Sequence, residues 1–126
     1  MNFPEKIKYT KSHEWISVDI FKSFVGITDY AQSELGEIVF VDVNTVGQII
    51  NKGEVFGSIE AVKTVSDLLM PVTGKIIEVN KNLEEHPEYV NEEPYGAGWL
   101  VLIEVIDRSE VKDLMNTAAY RSFVGK

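Results

Sequence analysis

The chain has 126 residues, of which 44% are hydrophobic and 25% are charged, a composition that predicts a single domain with a buried core over residues 1–126. Acidic residues outnumber basic residues by 20 to 12, and the net charge of −8 opposes binding to the phosphate backbone of nucleic acids. The absence of cysteine excludes a disulfide framework, a thiol nucleophile and a thiolate metal site.

Signals for metal binding and membrane binding are sparse in this sequence. His13 and His86 lie far apart, and neither belongs to a spacing such as HExxH that places two ligands on one helical face. No run approaches the roughly 18 to 20 apolar residues that a membrane span needs, and residues 1–15 lack the apolar segment of a signal peptide. We therefore expect a cytoplasmic, monomeric protein without a metal site and without nucleic-acid or membrane partners.

The first predicted elements are a hairpin and a short helix. Alternating apolar and polar residues in WISVDI and KSFVGIT predict two paired strands around a turn near residues 19–22, with Phe21 exposed at that turn. The next segment, TDYAQSELG, predicts a short helix. Thr28 or Asp29 would cap its N-terminus, and Gly36 would end it in the left-handed conformation.

Beyond this helix the sequence indicates β-structure with a weak internal repeat. Glycine, proline and asparagine separate four predicted strands, as is typical of a sandwich or barrel: EIVFVDV, EVFGSIEAV, KIIEVN and GWLVLIEV. GEIVFVDV from Gly36 resembles GKIIEVN from Gly74, and GEVFGSIE from Gly53 resembles GWLVLIE from Gly98, although any glycine-led strands rich in valine and isoleucine look alike. If the halves pack around a pseudo-two-fold axis, the connection containing Lys63 becomes a hairpin at one end of a flattened β-barrel.

The last twenty residues are predicted to close the chain as a helix. Asp107 and Glu110 have the spacing of a capping box. Val111, Leu114 and Met115 would form one apolar stripe on the helix, which predicts a surface that faces the core.

The middle of the chain, from Val46 to Asn80, resembles the attachment segment of lipoyl and biotinyl carrier domains. Within that superfamily the chain resembles the H proteins of the glycine cleavage system. The matching segments follow the order of that family over nearly the whole chain: YTKSHEW, VGITDYAQSELGEIVFVDV, EAVKTVSDLLMPVTG, VNEEPYGAGWL and the closing AAY. The resemblance implies a mainly β fold, the lipoyl-type barrel-sandwich hybrid (a flattened β-barrel), with an N-terminal hairpin, a short helix and C-terminal helices.

The same resemblance implies that Lys63 is the lysine acylated with lipoic acid. A free lysine amine is almost wholly protonated at neutral pH and is a poor nucleophile, and the neighbours of Lys63 supply no base. A covalent lipoyl arm would instead supply chemistry that the polypeptide lacks. Biotin is the alternative, but its carriers have methionines on both sides of the lysine. Here Val62 and Thr64 flank Lys63, and Glu60 lies three residues before it, which favours lipoate.

The resemblance further implies a shuttle that has no active site of its own. Glycine decarboxylase, a pyridoxal-phosphate enzyme, would transfer an aminomethyl group to the arm on Lys63. An aminomethyltransferase would pass the one-carbon unit to tetrahydrofolate, and dihydrolipoamide dehydrogenase would reoxidise the arm. A lipoate ligase or a lipoyl/octanoyl transferase would attach it. One alternative stays open, namely an H-like donor that relays lipoyl groups to other dehydrogenase complexes.

A cleft that shelters the loaded arm is also implied by the resemblance, and Ser12, Glu14 and Asp67 match the positions that line it. Carboxylates of Glu14 and Asp67 would accept hydrogen bonds from a protonated amine, and Ser12 would offer a hydroxyl. The alternative for each is a helix cap or a solvated surface residue. For His13, a structural role is favoured over a position at the border of this cleft.

Overall fold

The structure is a computed structural model that describes residues 1–19 and 22–126. Its elements are, in chain order, β1 (Ile7–Tyr9), β2 (Glu14–Ser17), β3 (Ser23–Ile27), α1 (Asp29–Leu35), β4 (Ile38–Asp42), β5 (Ile49–Ile50), β6 (Val55–Ala61), β7 (Val65–Leu69), β8 (Gly74–Val79), a 3₁₀ helix at Lys81–Glu84, α2 (Tyr89–Glu92), β9 (Val101–Val105), a second 3₁₀ helix at Arg108–Asp113, and α3 (Thr117–Val124). The strands form two antiparallel sheets, ordered β1-β2-β3-β9-β8-β5 and β4-β6-β7. Among the helices of the described ranges, none has the length and apolar character that crossing a membrane requires.

The N-terminal hairpin forms as the alternating pattern predicts. Strands β2 and β3 pair antiparallel, with Trp15 opposite Gly26. A Cβ atom at Gly26 would lie 2.6 Å from the indole nitrogen of Trp15, so only glycine leaves room for the ring at this position. The indole N–H donates to the carbonyl of Pro94 at 3.0 Å, which ties the hairpin to the segment before β9. Phe21 lies outside the described residues.

Two hydrophobic clusters hold the domain together. The first, here called the inter-sheet core, includes Ile16, Val25, Ile59 and Leu68 from both sheets. Each such side chain is almost completely buried, which stabilises the fold by about 1.5–3 kcal/mol per side chain. The second, here called the aromatic cluster, lies under the N-terminal segment and α3 and consists of Phe3, Tyr9, Trp15 and Tyr120.

The internal repeat has a structural counterpart in two strand pairs. Strand β4 pairs antiparallel with β6, and β8 pairs antiparallel with β9. The register shifts between Ile38 and Phe40 in the first pair and between Ile76 and Glu78 in the second. These bulges fall at equivalent positions when the two glycine-led segments are aligned. The connection that follows β6 is a hairpin, and Lys63 lies in it, as the repeat predicts.

The single C-terminal helix is the part of the prediction that is wrong. Asp107 caps the 3₁₀ helix by accepting a hydrogen bond from Ser109 N–H at 3.0 Å, but Glu110 completes no capping box. Its carboxylate instead accepts bonds from the backbone N–H (2.6 Å) and the hydroxyl (3.2 Å) of Thr73. The helix ends before Leu114, whose backbone is extended.

The predicted apolar stripe is therefore divided between the two clusters. Val111 and Leu114 pack on the inter-sheet core, whereas Met115 packs on the aromatic cluster. Met115 also pairs with Tyr9 through two backbone hydrogen bonds of 2.9 Å each, which extends the edge of β1. These long-range backbone bonds compete with helical ones, and the chain resumes a helix only at α3, where Asn116 caps Ala119 N–H at 2.9 Å.

Candidate functional site

Lys63 lies at the tip of the tight hairpin between β6 and β7. The N–H of Ala61 donates to the carbonyl of Thr64 at 2.8 Å and closes the turn. The N–H of Val62 donates to the carbonyl of Glu37 at 3.0 Å, which holds the tip against the segment that follows α1. Lys63 is exposed, and Val62 before it keeps 71% of its surface accessible. The hairpin therefore holds the backbone on either side of Lys63 in place and leaves the lysine side chain exposed beside apolar surface.

The side chain of Lys63 extends over Gly36, the residue that ends α1. A Cβ atom at Gly36 would lie 3.7 Å from Cε of Lys63. Gly36 has a φ of 81° and a ψ of −157°, a combination that glycine alone adopts readily, so it does not have the left-handed helical conformation that was predicted. The predicted helix itself is confirmed, and Thr28 is its N-cap because its hydroxyl accepts the N–H of Ala31 at 3.1 Å.

A cleft of about 250 Å³ runs beside this hairpin. Its walls are α1, the turn between β1 and β2, and strand β7. Its apolar lining comes from Ile27, Ala31, Leu35, Ile59 and Leu68, and its polar lining comes from Ser12, His13, Glu14, Tyr30, Glu34, Ser66 and Asp67. Three carboxylates and no lysine or arginine line it, so its local charge favours a cation.

The structure brings the predicted residues Ser12, Glu14 and Asp67 together around this cleft. Glu60 does not reach it. The side chains of a strand alternate between faces, and Ile59 lines the cleft, so Glu60 lies on the opposite face of β6. There it pairs across the sheet with Phe40 and Val65 and is exposed.

Glu14 forms the floor of the cleft and is already hydrogen-bonded within the protein. It is only 2% exposed. Its Oε1 accepts from the hydroxyls of Thr10 (2.8 Å) and Ser12 (2.5 Å), and its Oε2 accepts from the N–H of Leu69 (3.2 Å). Burial raises the pKa of Glu14, while the hydrogen bonds from Ser12, Thr10 and Leu69 oppose that rise. The carboxylate thus joins the turn before β2 to the edge strand β7.

Ser12 and Asp67 differ from Glu14 in what remains available to a ligand. The Ser12 hydroxyl donates to Glu14, so what it can still offer a ligand is its oxygen lone pairs. Asp67 is exposed on β7, opposite Ser58, four residues after Lys63. By strand alternation Asp67 shares a face of the sheet with Ser58 and Glu60, and it lines the cleft from the edge strand. Asp67 and Ser12 are exposed, whereas Glu14 is buried.

Sequence reasoning missed the contribution of α1 and assigned His13 a structural role. Tyr30 and Glu34 lie four residues apart and therefore share the helical face that lines the cleft, a periodicity that the sequence already contains. His13 lines the cleft as well, and its Nδ1 lies 2.8 Å from the hydroxyl of Tyr120. Burial lowers the pKa of His13, and the nearby Glu34 carboxylate raises it by less. Within the described ranges, no group of three or more histidine, aspartate or glutamate side chains is arranged to hold a metal ion.

Comparison with known proteins decides which family carries this hairpin and cleft. The family model described as Glycine cleavage H-protein matches residues 7–126. The chain belongs to the glycine cleavage H-protein family. It is 54% identical over 124 residues to the glycine cleavage system H protein of Bacteroides thetaiotaomicron, with 98% of each chain covered. It is 50% identical over 124 residues to the protein of the same name from Bacteroides fragilis, again with 98% of each covered.

A solved structure agrees with the fold. The crystal structure of a glycine cleavage system H protein from Mycobacterium marinum superposes with a TM-score of 0.90 at 36% sequence identity, covering 98% of this chain and 99% of that one. The expected lipoyl-type barrel-sandwich fold is thereby confirmed. As a member of the H-protein family, the chain is a lipoyl carrier component of glycine cleavage.

Proposed function

We propose that this H protein carries lipoate as an amide on Lys63 and has no active site of its own. It takes up the aminomethyl group from glycine decarboxylase and delivers it to a tetrahydrofolate-dependent aminomethyltransferase. Dihydrolipoamide dehydrogenase then reoxidises the arm. When bound, lipoate supplies a dithiol–disulfide pair that a chain without cysteine lacks. The observation that carries the proposal is the exposed Lys63 at a rigid hairpin tip, directly beside an acidic cleft.

The hairpin suits recognition by a lipoate ligase or a lipoyl/octanoyl transferase. Such an enzyme must admit one lysine into its own active site, and Lys63 is the one lysine between Lys52 and Lys75 in the sequence. The bonds that hold Ala61 and Val62 keep the turn in one conformation, which lowers the entropy lost on docking. Val62 and Thr64 flank the lysine, and Glu60 adds a charge on the outer face of β6.

The cleft suits retention of a protonated amine on the loaded arm. Asp67 provides a carboxylate at the cleft wall, and Glu14 provides buried negative charge at its floor. Hydrogen bonds from an ammonium group to carboxylates are the stronger, charge-assisted type. The apolar side chains of Ile59 and Leu68 limit access of water to the same space. Ser12 acts through Glu14, because its hydroxyl orients that carboxylate.

The test begins with protein purified from a host supplied with lipoate. Intact mass and peptide mapping should find one lipoyl amide on Lys63 in the wild type, none in Lys63→Ala, and one in the control Lys81→Ala, which removes an exposed lysine from a 3₁₀ helix. Incubation with glycine and the decarboxylase should then add one aminomethyl group to the lipoylated forms only.

Three results would overturn this assignment in different ways. A lipoylated wild type that never loads with glycine would favour the relay of lipoyl groups to other dehydrogenase complexes. A wild type without lipoate that reacts with avidin on a blot would establish a biotin carrier instead. Full glycine cleavage with Lys63→Ala would remove Lys63 from the mechanism altogether.

A further inference from the structure

One buried side chain connects two walls of the cleft without lining the cleft itself. Tyr120 of α3 is fully buried, and its hydroxyl lies 2.7 Å from the hydroxyl of Thr28 and 2.8 Å from Nδ1 of His13. Thr28 is the N-cap of α1, the helical wall. His13 lies between Ser12 and Glu14 in the turn that forms the second wall.

Each hydroxyl in this network can donate and accept at once, so two orders of donation fit the distances. In one, the Thr28 hydroxyl, whose oxygen accepts the N–H of Ala31 at 3.1 Å, donates to Tyr120, and Tyr120 donates to Nδ1 of His13. In the other, Nδ1–H of His13 donates to Tyr120 and Tyr120 donates to Thr28, and in both the Tyr120 hydroxyl holds a neutral imidazole in one tautomer. Burial lowers the pKa of His13, which favours that neutral form, and raises the pKa of Tyr120 to about 12, which keeps it a donor.

The backbone of His13 needs this support. Its φ is 71°, a value that is uncommon for any residue other than glycine and that persists where surrounding contacts impose it. The carbonyl of His13 accepts the N–H of Thr28 at 3.0 Å, a second bond between the same two walls. Its ring packs against Tyr30, with 5.0 Å between centroids, and against Tyr120, with 5.8 Å.

We propose that Tyr120 is a positioning residue, whose hydroxyl sets the separation between α1 and the turn that carries Ser12 and Glu14. The functional consequence is that this separation governs how long the aminomethyl group stays on the arm, and this part rests on the proposed function. The ring of Tyr120 has independent support. It stacks on Tyr9 with 4.5 Å between centroids and meets the edge of Phe3 at 5.9 Å, so loss of the hydroxyl leaves the packing in place.

The chain offers a matched control for the substitution Tyr120→Phe. Tyr9→Phe removes one hydroxyl from the same stacked pair, and that hydroxyl donates to the carbonyl of Pro4 at 2.7 Å, away from the cleft. Both tyrosines are fully buried, but Tyr120→Phe removes hydrogen bonds to two residues, Thr28 and His13, whereas Tyr9→Phe removes the bond to Pro4. The free energy of unfolding of each variant is therefore measured as well, so that a local change in exchange can be compared with the change in global stability.

The deciding measurement is amide hydrogen exchange together with NMR of the His13 imidazole. In Tyr120→Phe, exchange of the Thr28 N–H that bonds His13 should rise at least about fivefold, because the variant loses two hydrogen bonds that hold these residues together. The imidazole nitrogen shifts should report a mixture of tautomers in place of the single tautomer that the Tyr120 hydroxyl holds in the wild type. Tyr9→Phe should leave both signals at their wild-type values. Equal exchange of Thr28 in the two variants, or unchanged His13 tautomers in Tyr120→Phe, would overturn the positioning role.

Hydrolysis of the glycine-loaded carrier supplies the functional measurement. Tyr120→Phe should load to the same extent as the wild type but lose the aminomethyl group several times faster, whereas Tyr9→Phe should match the wild type. Equal rates of loss in both variants would refute the link to retention. If the wild type itself does not load, the proposed function fails, and the exchange and tautomer measurements alone decide whether Tyr120 positions the walls.

Discussion

The carboxylate of Glu14 offers the sharpest test of how the cleft is built. Glu14→Ala deletes the acceptor for the hydroxyls of Thr10 and Ser12 and for the N–H of Leu69. Glu14→Gln keeps the shape and an acceptor oxygen but removes the charge. Glu14→Ala therefore tests how much the hydrogen bonds of Glu14 hold the cleft walls together, and Glu14→Gln tests how much its charge helps to retain an ammonium group.

The loss in free energy of unfolding depends on whether each hydrogen-bond donor finds another acceptor after Glu14 is replaced by alanine. The Thr10 hydroxyl lies 3.4 Å from the carbonyl of residue 14 and 3.2 Å from the Ser12 oxygen, so both hydroxyls find other acceptors. The Leu69 N–H faces the emptied space and loses its partner, which costs about 1–3 kcal/mol. We expect Glu14→Ala to lower the free energy of unfolding by about 2 kcal/mol and Tm by about 6–12 °C. Glu14→Gln should cost less than half as much, because the hydroxyls can turn to accept from its amide.

The pH dependence of stability provides an independent check. Burial raises the pKa of Glu14 above 4.5, so the folded state holds the proton more tightly than the unfolded state does. The contribution of Glu14 to the free energy of unfolding is therefore present at low pH and declines as pH rises from about 4.5 through the folded pKa. Glu14→Gln does not titrate and should lack this decline.

Urea unfolding across that pH range, with loss of the aminomethyl group measured in parallel, tests all three expectations. The exposed Glu84 gives a control, Glu84→Ala, that should match the wild type in both assays. We expect both Glu14 variants to lose the aminomethyl group faster. If Glu14→Ala unfolds at the wild-type urea concentration, the bond to Leu69 contributes nothing. If Glu14→Gln keeps the pH-dependent decline, another group causes it.

Two further predictions concern the surroundings of the arm. Gly36→Ala places a side chain on a backbone conformation suited to glycine, so it should lower the free energy of unfolding by about 1–3 kcal/mol and lower Tm. Because Lys63 lies over this residue, the substitution should also slow lipoylation of Lys63. Gly53→Ala is the control for backbone strain alone, because Gly53 has a φ of 82° and open space around it. Equal lipoylation rates in Gly36→Ala and Gly53→Ala would contradict a link between Gly36 and the modification of Lys63. Asp67→Asn should speed hydrolysis of the loaded arm about tenfold without changing Tm. The control is Asp42→Asn, which lies on the opposite edge of the same sheet. An unaltered hydrolysis rate in Asp67→Asn would exclude Asp67 from retention.

Local sequence was sufficient for the elements whose bonds are made between near neighbours. The alternation in β2 and β3, the cap at Thr28 and the turn around Lys63 all depend on residues within a few positions of one another. Periodicity and turn chemistry report such contacts directly. The weak repeat also predicted structure over longer distances in the sequence, because the two similar segments form similar strand pairs with bulges at equivalent positions.

The sequence by itself therefore determined six of the nine strands in the described residues, the short helix and the exposed lysine, while β1, β5 and β7 and the set of side chains that line the cleft were decided by the tertiary structure. Glu14 meets Leu69 across 55 positions, and His13 meets Tyr120 across 107. The C-terminal segment leaves its helical pattern because Glu110 and Met115 bond to distant backbone groups at Thr73 and Tyr9. The free-energy difference between helix and extended chain that comes from local propensity is smaller than the contribution of those long-range hydrogen bonds. The sequence pattern of this segment therefore could not predict its structure.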